Sequence, residues 1–110
     1  KNLIALNIPI INFSTDYIFN APQGLEIPEN FARFPLNIYG ESKKQAEILL
    51  ENSTVKFWNI RTSWLFGKYG NNFITTILEL AKKHSTLSII NDQIGRPTST
   101  QDLAFFVVKH

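Results

Sequence analysis

The chain has 110 residues, of which 44% are hydrophobic and 18% charged, enough to bury one modest core and excluding a disordered or fibrous polypeptide. Its formal charge is +2, with lysines scattered apart from Lys43-Lys44 and Lys82-Lys83, so no basic stripe offers itself to nucleic acid. It has no cysteine and two histidines, His84 and His110, far apart in sequence, which excludes a disulfide framework, thiolate chemistry and any metal-ligand spacing.

The run Ile10-Ile11-Asn12-Phe13-Ser14 predicts a buried strand passing into the polar turn Ser14-Thr15-Asp16. Pro22, Gly24, Pro28 and Pro35 make the next stretch a long loop. Asn37 is a good N-cap for an amphipathic helix ending near Asn52-Ser53, with Ile38, Ala46, Leu49 and Leu50 as its expected apolar face. A second strand is predicted over Lys56 to Phe66, rich in aromatic and β-branched residues and broken by Gly67 and Gly70. Asn71 or Asn72 caps a second helix bearing Phe73, Ile74, Ile77, Leu78 and Ala81, with Lys82, Lys83 and His84 placed favourably at its end. A third strand is predicted at Leu87 to Ile90, then the polar loop Asn91 to Thr98 and a last helix from Thr100 to His110. This alternation predicts an α/β fold with a parallel sheet covered by helices. No apolar run approaches the roughly 20 residues of a membrane span, and the start lacks a signal-peptide core; a soluble cytoplasmic protein, free of nucleic acid and membrane, is expected. The start at Lys1 and the stop inside a predicted helix lead us to expect a piece of a longer polypeptide.

In parallel sheets, ligands bind outside the carboxyl ends of the strands. Three polar segments fall there: Ser14-Thr15-Asp16, Thr62-Ser63-Trp64 and Asn91-Asp92-Gln93. On the first helix Tyr39 precedes Lys43 by four positions, so phenol and ammonium share one face. An ammonium beside a phenol favours the phenolate, which suits proton transfer. Taken singly, each of these residues has a plainer reading: a turn for Thr15 and Asp16, core aromatics for Tyr17 and Trp64, a solvated arginine for Arg96.

Taken in order, the blocks Phe13-Ser14-Thr15-Asp16-Tyr17-Ile18-Phe19, Pro35-Leu36-Asn37-Ile38-Tyr39-Gly40-Glu41-Ser42-Lys43, Arg61-Thr62-Ser63-Trp64 and Asn91-Asp92-Gln93-Ile94-Gly95-Arg96-Pro97-Thr98, together with Gly70-Asn71-Asn72-Phe73, resemble the extended short-chain dehydrogenase/reductases and, within them, the dTDP-4-dehydrorhamnose reductases. The resemblance implies the second half of a Rossmann-like doubly wound sheet over residues 1–66, carrying the Tyr-x-x-x-Lys helix, and the start of a substrate-binding region over 67–110. It implies NADPH or NADH as cofactor, a nucleotide-sugar substrate, and reduction of a 4-keto group to give dTDP-L-rhamnose; a homodimer is compatible with it. Thr15, Tyr39 and Lys43 would be catalytic, with Tyr39 the proton donor, Thr15 bonded to the carbonyl oxygen, and Lys43 on the nicotinamide ribose. Phe13, Ser14, Thr62 and Ser63 would line the nicotinamide, while Asp16, Tyr17, Trp64 and Arg96 would face the sugar nucleotide.

Two alternatives are separable. Related dehydratases carry a glutamate where this chain has Tyr17, and elimination of water needs that carboxylate, so simple reduction is expected. A non-catalytic nucleotide-binding subunit, similar to the regulatory subunit of methionine adenosyltransferase, is opposed by Thr15, Tyr39 and Lys43 all being present. Two departures stand out. The glycines, at positions 24, 40, 67, 70 and 95, do not form the family's Gly-x-x-Gly-x-x-Gly phosphate turn. Asn20-Ala21 stands where Asp-Gly is usual.

Overall fold

In a computed structural model, residues 6, 8–22 and 24–110 are described. They form two compact units, one ending at Thr62 and one beginning at Ser63.

The first unit contains strand β1 (Ile10–Thr15), a single 3-10 turn (Asp16–Ile18), helix α1 (Ile38–Glu51) and strand β2 (Phe57–Thr62). β1 and β2 pair in parallel, in a register that sets Asn12 beside Asn59 and Thr15 beside Thr62. The paired asparagines are joined side chain to side chain at 2.7 Å. α1 begins where expected: Asn37 accepts the backbone N–H of Gly40 at 2.7 Å, satisfying one of the donors a helix start leaves over.

The face α1 turns inward differs from the expected one. Ile38 and Leu49 are exposed, at 90% and 69%, whereas the buried positions are Gly40 and Glu47, with Lys43, Ala46 and Leu50 half-buried. The helix therefore rests on the sheet through a stripe whose centre is polar. What makes this stable is charge pairing. The Glu47 carboxylate, 1% exposed, accepts hydrogen bonds from Arg61 of β2 at 3.0 and 2.7 Å and from Arg33 of the preceding loop at 2.9 Å. Arg33 also clasps Glu51 at 2.9 and 2.8 Å, and Arg61 donates to the Glu29 carbonyl at 2.7 Å while lying over the Phe19 ring. One carboxylate thus joins the strand, the helix and the proline-containing loop. Ile18 and Val55 are the buried hydrophobic side chains among the described residues.

The second unit contains a short β3 (Leu65–Phe66) paired in parallel with β4 (Thr98–Ser99), helix α2 (Phe73–Lys83) and helix α3 (Thr100–Lys109). Asn72 caps α2 with a reciprocal pair of bonds to Thr75, and Ser99 caps α3. The predicted third strand at Leu87 to Ile90 is absent: that segment has no strand partner among the described residues, and Ile89 and Ile90 are 49% and 66% exposed. A β-rich run becomes a strand only where a neighbour takes its backbone groups, and here β3 pairs with Thr98–Ser99 instead. The single strand expected over Lys56 to Phe66 is likewise two, interrupted at Ser63-Trp64. Among the described residues no helix is long and apolar enough to cross a membrane.

Burial, the largest single influence, pushes the Glu47 carboxyl up, but Arg61, Ser14, Asn59 and Arg33 together outweigh it, and the group is held down at about 2 instead of 4.5. Ser14 Oγ itself forms no directed hydrogen bond, and Arg61 makes the largest of the lowering contributions. Because the folded carboxyl binds its proton less tightly than the unfolded one, the stabilisation is fully present above about pH 4.5 and is lost as pH falls from there through about 2. The shift corresponds to roughly 3 kcal/mol. Glu47→Gln is expected to lower the urea-unfolding free energy by about that amount at pH 7 and by less than half of it at pH 3; an equal loss at both pH values would contradict the charge-pairing account.

Candidate active site

The carboxyl end of β1 delivers Phe13, Ser14 and Thr15, and the chain then tightens into the 3-10 turn. Thr15 caps that turn: its Oγ1 accepts the Tyr17 N–H at 3.3 Å and donates to Asp16 Oδ1 at 3.3 Å. Both bonds are long, so the hydroxyl is held in place while its proton remains able to turn toward another acceptor. Ser14 and Thr15 are buried. Tyr17 and Phe13 are exposed, and Asp16 is half-buried.

α1 carries Tyr39 and Lys43 one turn apart to the same strand end. Lys43 Nζ donates to the Phe13 carbonyl at 3.0 Å and lies 5.9 Å from the centre of the Tyr39 ring. The Tyr39 ring stands edge-on to Tyr17, with centroids 6.0 Å apart at 87°. Tyr39 as a whole is 51% exposed, so the side chain is open to a ligand. Thr62, level with Thr15 on β2, donates to the Ser14 carbonyl at 3.3 Å. Phenol, ammonium and hydroxyls therefore gather at the carboxyl end of a parallel strand pair, where α/β sheets bind ligands. Chemically the group has a proton donor, a fixed cation beside it and a hydroxyl able to hold an oxygen.

The second unit holds Ser63, Trp64 and Arg96. Ser63 Oγ is buried without a hydrogen-bond partner. Trp64 has φ of 45°, a left-handed conformation that a bulky residue adopts only when its surroundings force it. Its indole leans on Phe73, centroids 5.6 Å apart, and on Gly95, where a Cβ would lie 2.6 Å from the indole Cε2 and Nε1. The indole also forms a wall of a cavity of about 280 Å³ with Phe73, Ile74, Ile90, Gln93 and Pro97. Arg96 and Asp92 are exposed. Among the described residues no group of three or more acidic, histidine or cysteine side chains could hold a metal.

Reading the sequence missed three contributors: Arg33 and Glu47, which fix the loop and helix around Tyr39, and Gly40, whose backbone meets that of Tyr17. The signal was a glycine in the first turn of a helix, where glycine disfavours helix. The left-handed Trp64 had no signal of that kind.

Comparison with known proteins gives a consistent result. The family described as the RmlD substrate binding domain matches residues 3–110. The dTDP-4-dehydrorhamnose reductase of Aggregatibacter actinomycetemcomitans is 42% identical over 103 residues, covering 94% of this chain and 35% of that protein. The spore coat polysaccharide biosynthesis protein SpsK of Bacillus subtilis is 42% identical over 99 residues, covering 90% of this chain and 35% of the relative. The crystal structure of dTDP-4-dehydrorhamnose reductase from Bacillus anthracis in complex with NADP superposes with a TM-score of 0.89 at 37% identity, covering 97% of this chain and 38% of that one. The chain thus spans 35% of the length of these two curated relatives.

Gly95→Ala in a Trp58→Phe background, where Trp64 is the one tryptophan left in these 110 residues, is expected to push the indole off its seat, red-shifting its emission and costing about 1–3 kcal/mol; an unshifted spectrum would show that the indole does not depend on that glycine.

Proposed function

The chain belongs to the RmlD substrate binding domain family, and on that premise we propose that it forms the proton-donating part of an NADPH- or NADH-dependent dTDP-4-dehydrorhamnose reductase, which converts dTDP-4-dehydro-6-deoxy-L-mannose to dTDP-L-rhamnose. The observation that carries this reading is the placing of Tyr39 and Lys43 on one helix face, with the ammonium on the Phe13 carbonyl and Thr15 two residues further along the strand.

The donors present fit the nicotinamide end of such a cofactor. Lys43 uses one hydrogen on Phe13 and keeps two for the ribose hydroxyls, and Phe13, Ser14 and Thr62 surround the strand end at which the nicotinamide would lie. The glycine spacing of a pyrophosphate turn is not among these residues, so in this reading the phosphates are held by other parts of a longer polypeptide. When bound, the reduced nicotinamide supplies hydride to C4 of the sugar. Tyr39 then gives its phenolic proton to the carbonyl oxygen, and the Lys43 charge stabilises the phenolate left behind. Thr15 turns its hydroxyl from Asp16 to the same oxygen and offsets the charge that grows there.

Asp16 and Tyr17 follow Thr15 directly and are the residues we assign to the sugar in the first unit. For Ser63, as a nicotinamide contact, and for Trp64 and Arg96, as sugar-nucleotide contacts, the support is family membership. We read residues 1–66 as the second half of the dinucleotide-binding domain and 67–110 as the beginning of the substrate region. The setting we assign is the cytoplasm, and the use of the product is surface polysaccharide, in keeping with the spore coat relative.

In the full-length protein, Tyr39→Phe keeps the ring and removes the proton, so NADPH oxidation with the 4-keto sugar nucleotide is expected to fall by about 10²-fold or more. Full activity in that variant would remove Tyr39 from its role. Cofactor binding without any oxidation by the wild type would favour the non-catalytic subunit instead.

A further inference from the structure

We propose that Gly40 is a positioning residue for Tyr39, setting how closely the phenol stands to the end of β1; the claim rests on the reductase reading. Glycine weakens a helix relative to alanine, so its place in the first turn of α1 calls for a compensating reason. The structure supplies one. Gly40 is buried, and a Cβ on it would run into the Tyr17 carbonyl oxygen, with the Tyr17 carbonyl carbon and Pro35 Cβ each at 2.9 Å. Its N–H is meanwhile fixed on Asn37 Oδ1 at 2.7 Å.

The first turn of α1 is therefore seated backbone against backbone on the 3-10 turn that Thr15 caps and that bears Asp16 and Tyr17. None of these contacts involves a flexible side-chain end, so an added methyl cannot be absorbed locally. The helix start must withdraw by about 1 Å to restore ordinary carbon contact distances. Tyr39 precedes Gly40 directly and moves with it. Lys43, one turn on and tied to the Phe13 carbonyl at 3.0 Å, resists. The displacement therefore alters the distances from the phenol to Thr15 and to the ammonium together. A misplacement of about 1 Å costs about 10²-fold in rate when a reaction depends on prearranged groups.

The test uses the full-length protein, NADPH and the 4-keto sugar nucleotide, with kcat, KM, cofactor affinity and the pH profile of kcat measured for Gly40→Ala. The expected result is NADPH binding within about threefold of wild type, a sugar KM changed by about as little, kcat lower by about 10²-fold, and a displaced limb in the pH profile, because the phenol and ammonium no longer keep their separation. Glu41→Ala, one position along, should leave kcat unchanged. If Gly40→Ala does not fold, Asn37→Ala removes the anchor on the Gly40 N–H without adding an atom; it is expected to lower kcat by about 10-fold and Asn37→Ser to restore it, serine being an equivalent cap. Wild-type kcat and pH profile in Gly40→Ala, or in Asn37→Ala where only that variant folds, would overturn the positioning role. So would a kcat loss matched by an equal loss of cofactor-binding sites. A wild-type protein that does not oxidise NADPH would sink the reductase reading first, and this inference with it.

Discussion

The buried Glu47 carboxylate is the contact on which the first unit depends. A helix that presents glycine, lysine and glutamate to a sheet has little apolar surface with which to hold itself there. Two guanidiniums meet Glu47 with well-formed hydrogen bonds that help to offset the desolvation its burial imposes. Arg61 ties the carboxylate to β2, and Arg33 ties it to the loop leading into Asn37 and Tyr39. The same four-residue spacing that puts Tyr39 over Lys43 puts Lys43 over Glu47. The Tyr39–Lys43 pair is thus one turn from the anchor that fixes the helix.

This arrangement explains why the inward stripe of α1 is polar. Three of its positions have partners that a large apolar side chain could not serve: the Tyr17 backbone for Gly40, the Phe13 carbonyl for Lys43, and the two arginines for Glu47. The rigidity is at the strand end, while the face of Tyr39 toward solvent remains open. A rigid donor pair with an open approach suits a group that must meet a reacting carbonyl in one geometry.

Much of this was legible in the residues, for identifiable reasons. Asn37 and Asn72 are caps whose side chains act within three residues, so local sequence is enough to place them. The Tyr39–Lys43 spacing follows from helix geometry alone. The apolar face of α1 was misjudged because Ile38 and Leu49 read as buried when hydrophobicity is the only guide, and nothing local says that Glu47 will meet Arg33 and Arg61, both 14 residues away. Leu87 to Ile90 was misjudged for a related reason: β-propensity describes a segment, but a strand needs a neighbour. The left-handed Trp64 and the close approach of Gly40 to Tyr17 depend on tertiary contacts and had to be seen.

In the proposed reaction Tyr39 gives its proton to the oxygen of a keto-sugar nucleotide as hydride reaches C4. The most direct measurement is a single turnover of the full-length protein with NADPH deuterated at the transferable C4 position, followed by mass and NMR analysis of the sugar. The account predicts deuterium at C4 of the product, formed at least about 10²-fold more slowly in Tyr39→Phe. Unlabelled sugar recovered unchanged beside intact deuterated cofactor, or label transferred equally fast without the phenol, would contradict it.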